Sequence, residues 1–121
     1  MSKPTGPTNP QIKGVIEDIR SKGYKEKLPF LIEISKKLET SRRKRAEVNL
    51  SKLDRVSKEK ETVIVPGKVL SAGILRKPII VAAASFSMSA VDKIEKAGGK
   101  TMSIDELVKQ NPRGKDVRIV I

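Results

Sequence analysis

Four consecutive cations, Arg42-Arg43-Lys44-Arg45, are the residues of this chain whose types and spacing point most directly to chemistry. Their like charges repel one another, so such a run is favoured where dense negative charge lies against it. An Arg guanidinium can pair with a phosphate through two parallel hydrogen bonds, and a Lys ammonium acts as a mobile point charge. This basic tetrad predicts a phosphate-binding surface, although a solvated basic helix end would give the same pattern.

The charge of the whole chain favours the phosphate interpretation. The sequence has 26 Lys and Arg against 14 Asp and Glu, a formal net charge of +12 on 121 residues. Such a surface attracts phosphate polymers and releases their counterions on contact. The only aromatic residues are Tyr24, Phe30 and Phe86, too few for the stacking platforms of single-strand binders. We therefore expect binding to folded RNA through phosphates, sugars and shape.

The residues that are absent argue against an enzyme. The chain has no His and no Cys, which excludes His acid–base chemistry, Cys nucleophiles and most zinc or copper sites. Its carboxylates stand at helical spacing from lysines, as solvated ion pairs do, and its glycines match no phosphate-binding loop. We expect no catalytic, cofactor or metal site and no small-molecule substrate. The absence of Cys favours an intracellular protein. Without an 18-residue apolar run or a signal peptide, we expect no membrane partner.

Residues 1–47 contain the tetrad and the elements that are expected to position it. We interpret residues 1–8 as a flexible basic tail that becomes ordered only on a partner, with Lys3 contacting RNA. A single domain then spans residues 9–121, and its helical part is 9–47. Asn9-Pro10 predicts the start of a first helix that Gly23 ends.

A second helix is predicted to begin near Pro29 and to run into the tetrad, since cations suit the carbonyl end of a helix. Leu31, Ile34 and Leu38 recur at the spacing of one buried helix face. Two short helices joined by a lysine-rich turn indicate a helical hairpin.

Residues 48–121 predict an α/β core. Thr62–Val65 is expected to be a strand, Pro66-Gly67 a turn, and Lys68–Leu70 a further strand. The run Ile79–Ala84 is continuously apolar, as in a strand buried on both faces. Helix starts are predicted at Ser51, at Ser87 or Ser89, and at Ser103, which can form a capping box with Glu106.

Two shorter basic segments join the candidate RNA-binding residues. Arg76-Lys77 precedes Pro78 and the apolar run, and Arg113 and Lys115 flank the turn residue Gly114. Ordinary polar loops would explain both segments equally well. The order of elements, helices first and then interleaved strands and helices, indicates the α/β class, and a doubly wound sheet is the simplest arrangement.

Several of these segments resemble a known family. Val48–Leu53, Lys68–Leu75 and Phe86–Ala90, followed by Lys96–Lys100, are similar to the archaeal large-subunit ribosomal protein eighteen-e family, which is related to bacterial large-subunit protein fifteen. The resemblance extends from about residue 9 to the end of the chain. It implies a non-catalytic constituent of the cytoplasmic ribosome that binds large-subunit rRNA beside neighbouring ribosomal proteins. It also implies a core of irregular β-β-α superhelical turns after an N-terminal helical hairpin.

Two other functions remain open from the residues alone. A free basic nucleic-acid-binding protein, of the chromatin or RNA-chaperone type, would carry the same charge. A protein–protein adaptor could use that charge for solubility only.

Overall fold

The computed structural model describes residues 12–44 and 46–121. The predicted tail with Lys3, the cap at Asn9-Pro10 and the tetrad member Arg45 lie outside these residues. The described elements are, in chain order, α1 Ile12–Lys25, α2 Pro29–Lys44, β1 Glu47–Asn49, α3 Leu50–Val56, β2 Thr62–Leu70, β3 Ile80–Phe86, α4 Met88–Lys96, β4 Lys100–Ser103, α5 Ile104–Gln110 and β5 Val117–Ile119.

The predicted helical hairpin is confirmed by α1 and α2, but the role assigned to Gly23 is wrong. Leu31, Ile34 and Leu38 are buried, as predicted. Gly23 does not end α1, which continues to Lys25. A Cβ atom on Gly23 would lie 2.9 Å from Cγ1 of Ile32 in α2. The glycine therefore allows the two helices to approach closely.

The turn predicted at Pro66-Gly67 is also wrong, because β2 runs through it without reversing. The register between β2 and β3 shifts between Val65 and Lys68. The backbone N–H of Lys68 donates to the carbonyl of Ala46, and a Cβ on Gly67 would lie 2.7 Å from that carbonyl oxygen. The Pro-Gly pair therefore marks an irregular strand segment beside residue 46.

The described strands form one parallel sheet of order β1-β2-β3-β4, and β5 pairs with β2. Residues 71–79 join the parallel neighbours β2 and β3 without a helix, and α4 follows β3. The chain thus makes a β-β-α turn instead of a hairpin. This arrangement confirms the α/β class with an N-terminal helical hairpin.

The sheet is covered on both faces, as its apolar strands predict. Val63, Val65, Val81 and Ala83 pack with α3 and α4 in one cluster. The alternate positions Ile64 and Ala82 pack with α1, α2 and α5 in a second cluster. The alternation follows from the two-residue repeat of a strand.

The predicted serine caps are confirmed for α4 and α5. Ser87 accepts a hydrogen bond from Ala90 N–H, and Ser103 forms a reciprocal capping box with Glu106. Ser51 and Ser89 are not caps. Helix α3 begins one residue before Ser51, with Asn49 as its N-cap, and the Ser89 hydroxyl donates to that of Ser71. Side-chain chemistry alone did not distinguish a cap from a first-turn serine.

Candidate nucleic-acid interface

The described part of the basic tetrad lies where the sequence predicts it, at the carbonyl end of α2. Arg42, Arg43 and Lys44 occupy the last turn of that helix and are exposed. Cations in this position favourably complement the partial negative charge of the unpaired carbonyl groups. The last turn of α2 therefore presents cations to solvent, in a place where they also stabilise the helix.

Glu39 organises this end of the hairpin. Its carboxylate accepts a hydrogen bond from Nη2 of Arg42 at 3.1 Å, lies 3.5 Å from Nε of Arg43, and lies 4.0 Å from Nη2 of Arg20 in α1. The hydrogen bond from Arg42 lowers the pKa of Glu39 below its ordinary value, and the charges of all three arginines act in the same direction, against a smaller opposing effect of desolvation. Glu39 is thus a carboxylate at neutral pH, and the four side chains carry a formal charge of +2.

This group, which we call the arginine cluster (Arg20, Glu39, Arg42 and Arg43), has the chemistry of a phosphate site. Guanidinium groups are planar forks that match phosphate oxygens, and they lose less entropy when they are already held in place. The side chain of Arg43 is 77% exposed and that of Arg42 is 41% exposed. Both therefore retain donors that can reach a ligand in solvent.

Sequence reasoning did not identify Arg20. It lies on α1 and reaches Glu39 only because α1 and α2 are paired in the hairpin. One signal was available, since Arg20 directly follows Ile19, an aliphatic residue that is buried. The position next to a buried residue lies at the border of a helix–helix contact.

We expect Arg20→Ala to weaken RNA binding although it lies outside the tetrad. If Arg20 contributes one phosphate contact, the slope of log K against log salt should fall by about 0.9 for a duplex-like RNA. Fluorescence anisotropy titrations over a range of salt concentrations measure this slope. Lys25→Ala, at the end of the same helix, is the matched control. Equal slopes for Arg20→Ala and the unchanged protein would remove Arg20 from the interface.

Arg113 and Lys115 lie at the opposite end of α2. Asn111 closes their turn, because its side-chain amide donates to the Lys115 carbonyl at 2.9 Å and accepts from the Lys115 N–H at 3.2 Å. Gly114 has φ +69° and rests on Phe30, where a Cβ atom would lie 2.3 Å from the ring. From Phe30 to Arg43 the helix axis rises roughly 20 Å, at about 1.5 Å per residue. Both cations are exposed, but they are not part of the arginine cluster.

Arg76 and Lys77 lie beside α3, which covers the other face of the sheet. Arg76 is exposed, and its backbone N–H donates to Oδ1 of Asp54 at 2.9 Å. Nζ of Lys77 donates to the carbonyls of Asp54 and Ser57, each at 2.6 Å. These carbonyls lie at the end of α3, so the Lys77 ammonium satisfies helix-terminal acceptors.

Because Lys77 contacts the end of α3 and the Arg76 side chain does not, we expect different roles for these two residues. Lys77→Ala should lower the free energy of unfolding by about 1 kcal/mol, because two helix-terminal carbonyls lose a charged donor. Its salt slope for RNA binding should fall less than that of Arg76→Ala. Arg76→Ala is the matched control and should leave stability within about 0.5 kcal/mol. Urea titration followed by circular dichroism measures the free energy of unfolding of each variant. Equal values for Lys77→Ala and Arg76→Ala would contradict the capping role of Lys77.

The described residues show no group of side chains suited to a metal ion. Among the described helices, none combines the length and the apolar composition needed to cross a bilayer.

Comparison with known proteins gives matches to a single family of proteins. The sequence profile of the family described as "Ribosomal protein 60S L18 and 50S L18e" matches residues 23–120. The chain is similar to the large ribosomal subunit protein eL18 of Archaeoglobus fulgidus, with 44% identity over 94% of this chain and 97% of the relative. The proteins of the same description from Methanopyrus kandleri and Halobacterium salinarum are each 43% identical. These alignments cover 97% and 93% of this chain, and 96% and 97% of the respective relatives.

Proposed function

The chain belongs to the family described as ribosomal protein 60S L18 and 50S L18e, and from this membership we propose that it is a structural constituent of the large ribosomal subunit that binds large-subunit rRNA. Members of this family are structural components without enzymatic activity. The prediction that the chain is not an enzyme agrees with this membership. Its partners are then large-subunit rRNA and neighbouring ribosomal proteins.

The binding mode we propose is phosphate contact, and the arginine cluster is the observation that carries it. Guanidinium groups from two helices surround a single carboxylate, with Arg43 largely exposed. Lys44 follows on the same helix and is exposed. A site of this kind neutralises phosphates where RNA strands lie close together, and it reads little sequence.

Arg113 and Lys115 are proposed to form a second contact, since they lie on a turn fixed by Asn111 and Phe30. Arg76 is proposed to contact RNA on the other face of the sheet. For Lys77 the contribution to RNA binding is expected to be smaller, because its ammonium already binds two carbonyls. Lys3 and Arg45 remain predictions from the sequence.

Co-sedimentation at rising salt tests the proposed function. Cell extract is fractionated on sucrose gradients in low salt and in 0.5–1 M salt, and the protein is followed by immunoblotting. A subunit constituent stays with the large subunits at high salt, since many contacts hold it in an assembled particle. A free electrostatic binder would dissociate, because its affinity falls steeply with salt. Release of the protein from intact subunits would contradict the proposal, and retention of a partner after nuclease digestion of all RNA would indicate an adaptor.

A further inference from the structure

A second surface, chemically unlike the arginine cluster, lies at the carboxyl ends of the strands. Its residues follow β1, β2 and β3 at the same edge of the parallel sheet. We call it the carboxyl-edge surface, and it consists of Ser51, Ala72, Gly73, Ile74, Met88 and Ser89. Ile74 is 64% exposed and Met88 is 69% exposed, two of the few large apolar side chains that the described residues present to solvent.

The two apolar side chains project from a fixed scaffold. Nζ of Lys93 donates to the carbonyls of Ser71 at 2.9 Å and Gly73 at 3.4 Å. The N–H of Ser51 donates to the carbonyl of Ala72 at 3.0 Å, so the loop is held against α3 as well as α4. Because Leu75 is buried directly after Ile74, Ile74 cannot turn inward without displacing the core. Its exposure is therefore set by the fold.

The charge around this surface points to the partner. The sequence has no Asp or Glu from Thr62 to Val91, the segment that supplies β2, β3, the loop between them and the first residues of α4. This stretch adds no negative charge to the surface. The neighbouring carboxylates both have partners, since Asp92 in α4 lies 3.2 Å from Nζ of Lys96 and Asp54 in α3 accepts from the Arg76 N–H. The ammonium of Lys93 lies beside it. A polyanion can approach this edge without repulsion from the segment.

We propose that the carboxyl-edge surface docks in the shallow minor groove of an RNA duplex. An A-form minor groove is wide and displays ribose rings and 2′-hydroxyls instead of a wall of phosphate. Ile74 and Met88 lie against ribose faces. Ser51 and Ser89 are exposed and are placed to hydrogen-bond 2′-hydroxyls, with Ser89 as an acceptor because its hydroxyl proton is donated to Ser71. The proposal rests on the proposed rRNA-binding function and adds a contact that is apolar and shape-dependent.

RNA fits this surface better than a protein partner does. A standard protein interface buries about 800 Å² on each partner and has an apolar centre built from many residues. Here only two large apolar side chains stand among serine, alanine and glycine, which makes a small contact. A small apolar contact with serine residues beside it suits the ribose surface of a duplex.

Directed hydroxyl-radical probing tests the docking site. The chain has no cysteine, so Ala72→Cys gives one attachment point for an iron chelate. Thr40→Cys, on an exposed position of α2, reports on the arginine-cluster side, and Lys25→Cys reports on the other end of the helical hairpin. Each labelled protein is bound to deproteinised archaeal large-subunit rRNA, and the cleaved nucleotides are mapped.

We expect the label at residue 72 to cut both strands of one duplex, at nucleotides different from those cut from residue 40. Cutting from residue 40 without cutting from residue 72 would overturn this inference and leave the proposed function standing. If neither the label at residue 72 nor the label at residue 40 cut the RNA, the proposed function itself would be contradicted. In whole subunits, a crosslinker at residue 72 that captures only protein would also overturn the RNA assignment.

Binding measurements give a second, independent test. The double variant Ile74→Ser/Met88→Ser should lose about tenfold in affinity with an unchanged salt slope, since apolar contact releases no counterions. Thermal unfolding checks that the variant is folded, which we expect because both side chains are exposed. Unchanged affinity, or a reduced salt slope, would overturn the minor-groove contact.

Discussion

Val81→Asp is expected to unfold the α/β core. Val81 is fully buried in β3, the strand that lies between β2 and β4, and its side chain packs in the cluster with α3 and α4. A carboxylate placed there would have no cationic partner, and an unpaired buried charge costs several kcal/mol. A domain of this size has about 5–15 kcal/mol of stability in total. Circular dichroism should show loss of the cooperative thermal transition.

Ile74→Asp is the matched control, since it makes a similar change at an aliphatic residue that is 64% exposed. We expect this variant to unfold with nearly the same midpoint as the unchanged protein. A normal cooperative transition in Val81→Asp would mean that Val81 is not a core residue. Unfolding of both variants would mean that burial is not what distinguishes the two positions.

Replacing Arg42, Arg43, Lys44 and Arg45 by Ala should have the largest effect on RNA binding. The slope of log K against log salt should fall by about 0.9 for each phosphate contact that is lost. Stability should change little, because the ion pairs of Glu39 lie at the surface, where solvent screening leaves such pairs with little effect on stability. Titration of large-subunit rRNA at several salt concentrations, together with a thermal melt, measures both quantities.

A charge-matched variant separates local contact from the overall field. Replacing Lys22, Lys25, Lys27 and Lys36 by Ala removes the same number of charges from other parts of the hairpin. We expect this variant to bind more weakly at low salt but to retain most of the slope. Identical slopes for the two quadruple variants would show that net charge, and not the tetrad, determines binding.

Elements with a local cause were predictable from the sequence. Helix α2 begins at Pro29 as predicted, and Ser103 and Glu106 form the predicted capping box. The apolar run that includes Val81 is a buried strand. In each case the residues that determine the element are neighbours in sequence.

Features with a tertiary cause were missed. Gly23 and Pro66-Gly67 contain the residues that usually end helices or form turns, and local rules assigned them those roles. In the structure Gly23 accommodates Ile32, and Gly67 accommodates the carbonyl of Ala46. Both contacts join segments whose approach no local pattern reveals.

The residues of the candidate site also fall into two groups, those with a local sequence pattern and those that depend on tertiary contacts. The tetrad was identifiable because four cations in succession are a local pattern. Arg20 was not, because it joins Glu39 across the hairpin. The contact of Lys77 with the end of α3 was also hidden, since it spans 23 residues to Asp54. The local sequence around a cationic loop residue does not show whether its side chain binds a ligand or the end of a helix.

Crosslinking in cells tests the central claim most directly. The tagged protein is crosslinked in living cells and purified under denaturing conditions, and both the attached RNA and the crosslinked peptides are sequenced. We predict RNA from the large-subunit rRNA, strongly enriched over small-subunit rRNA of similar abundance, and crosslinked peptides from the last turn of α2. The account would be contradicted if large-subunit rRNA, small-subunit rRNA and messenger RNA were each recovered in proportion to their abundance in the cell.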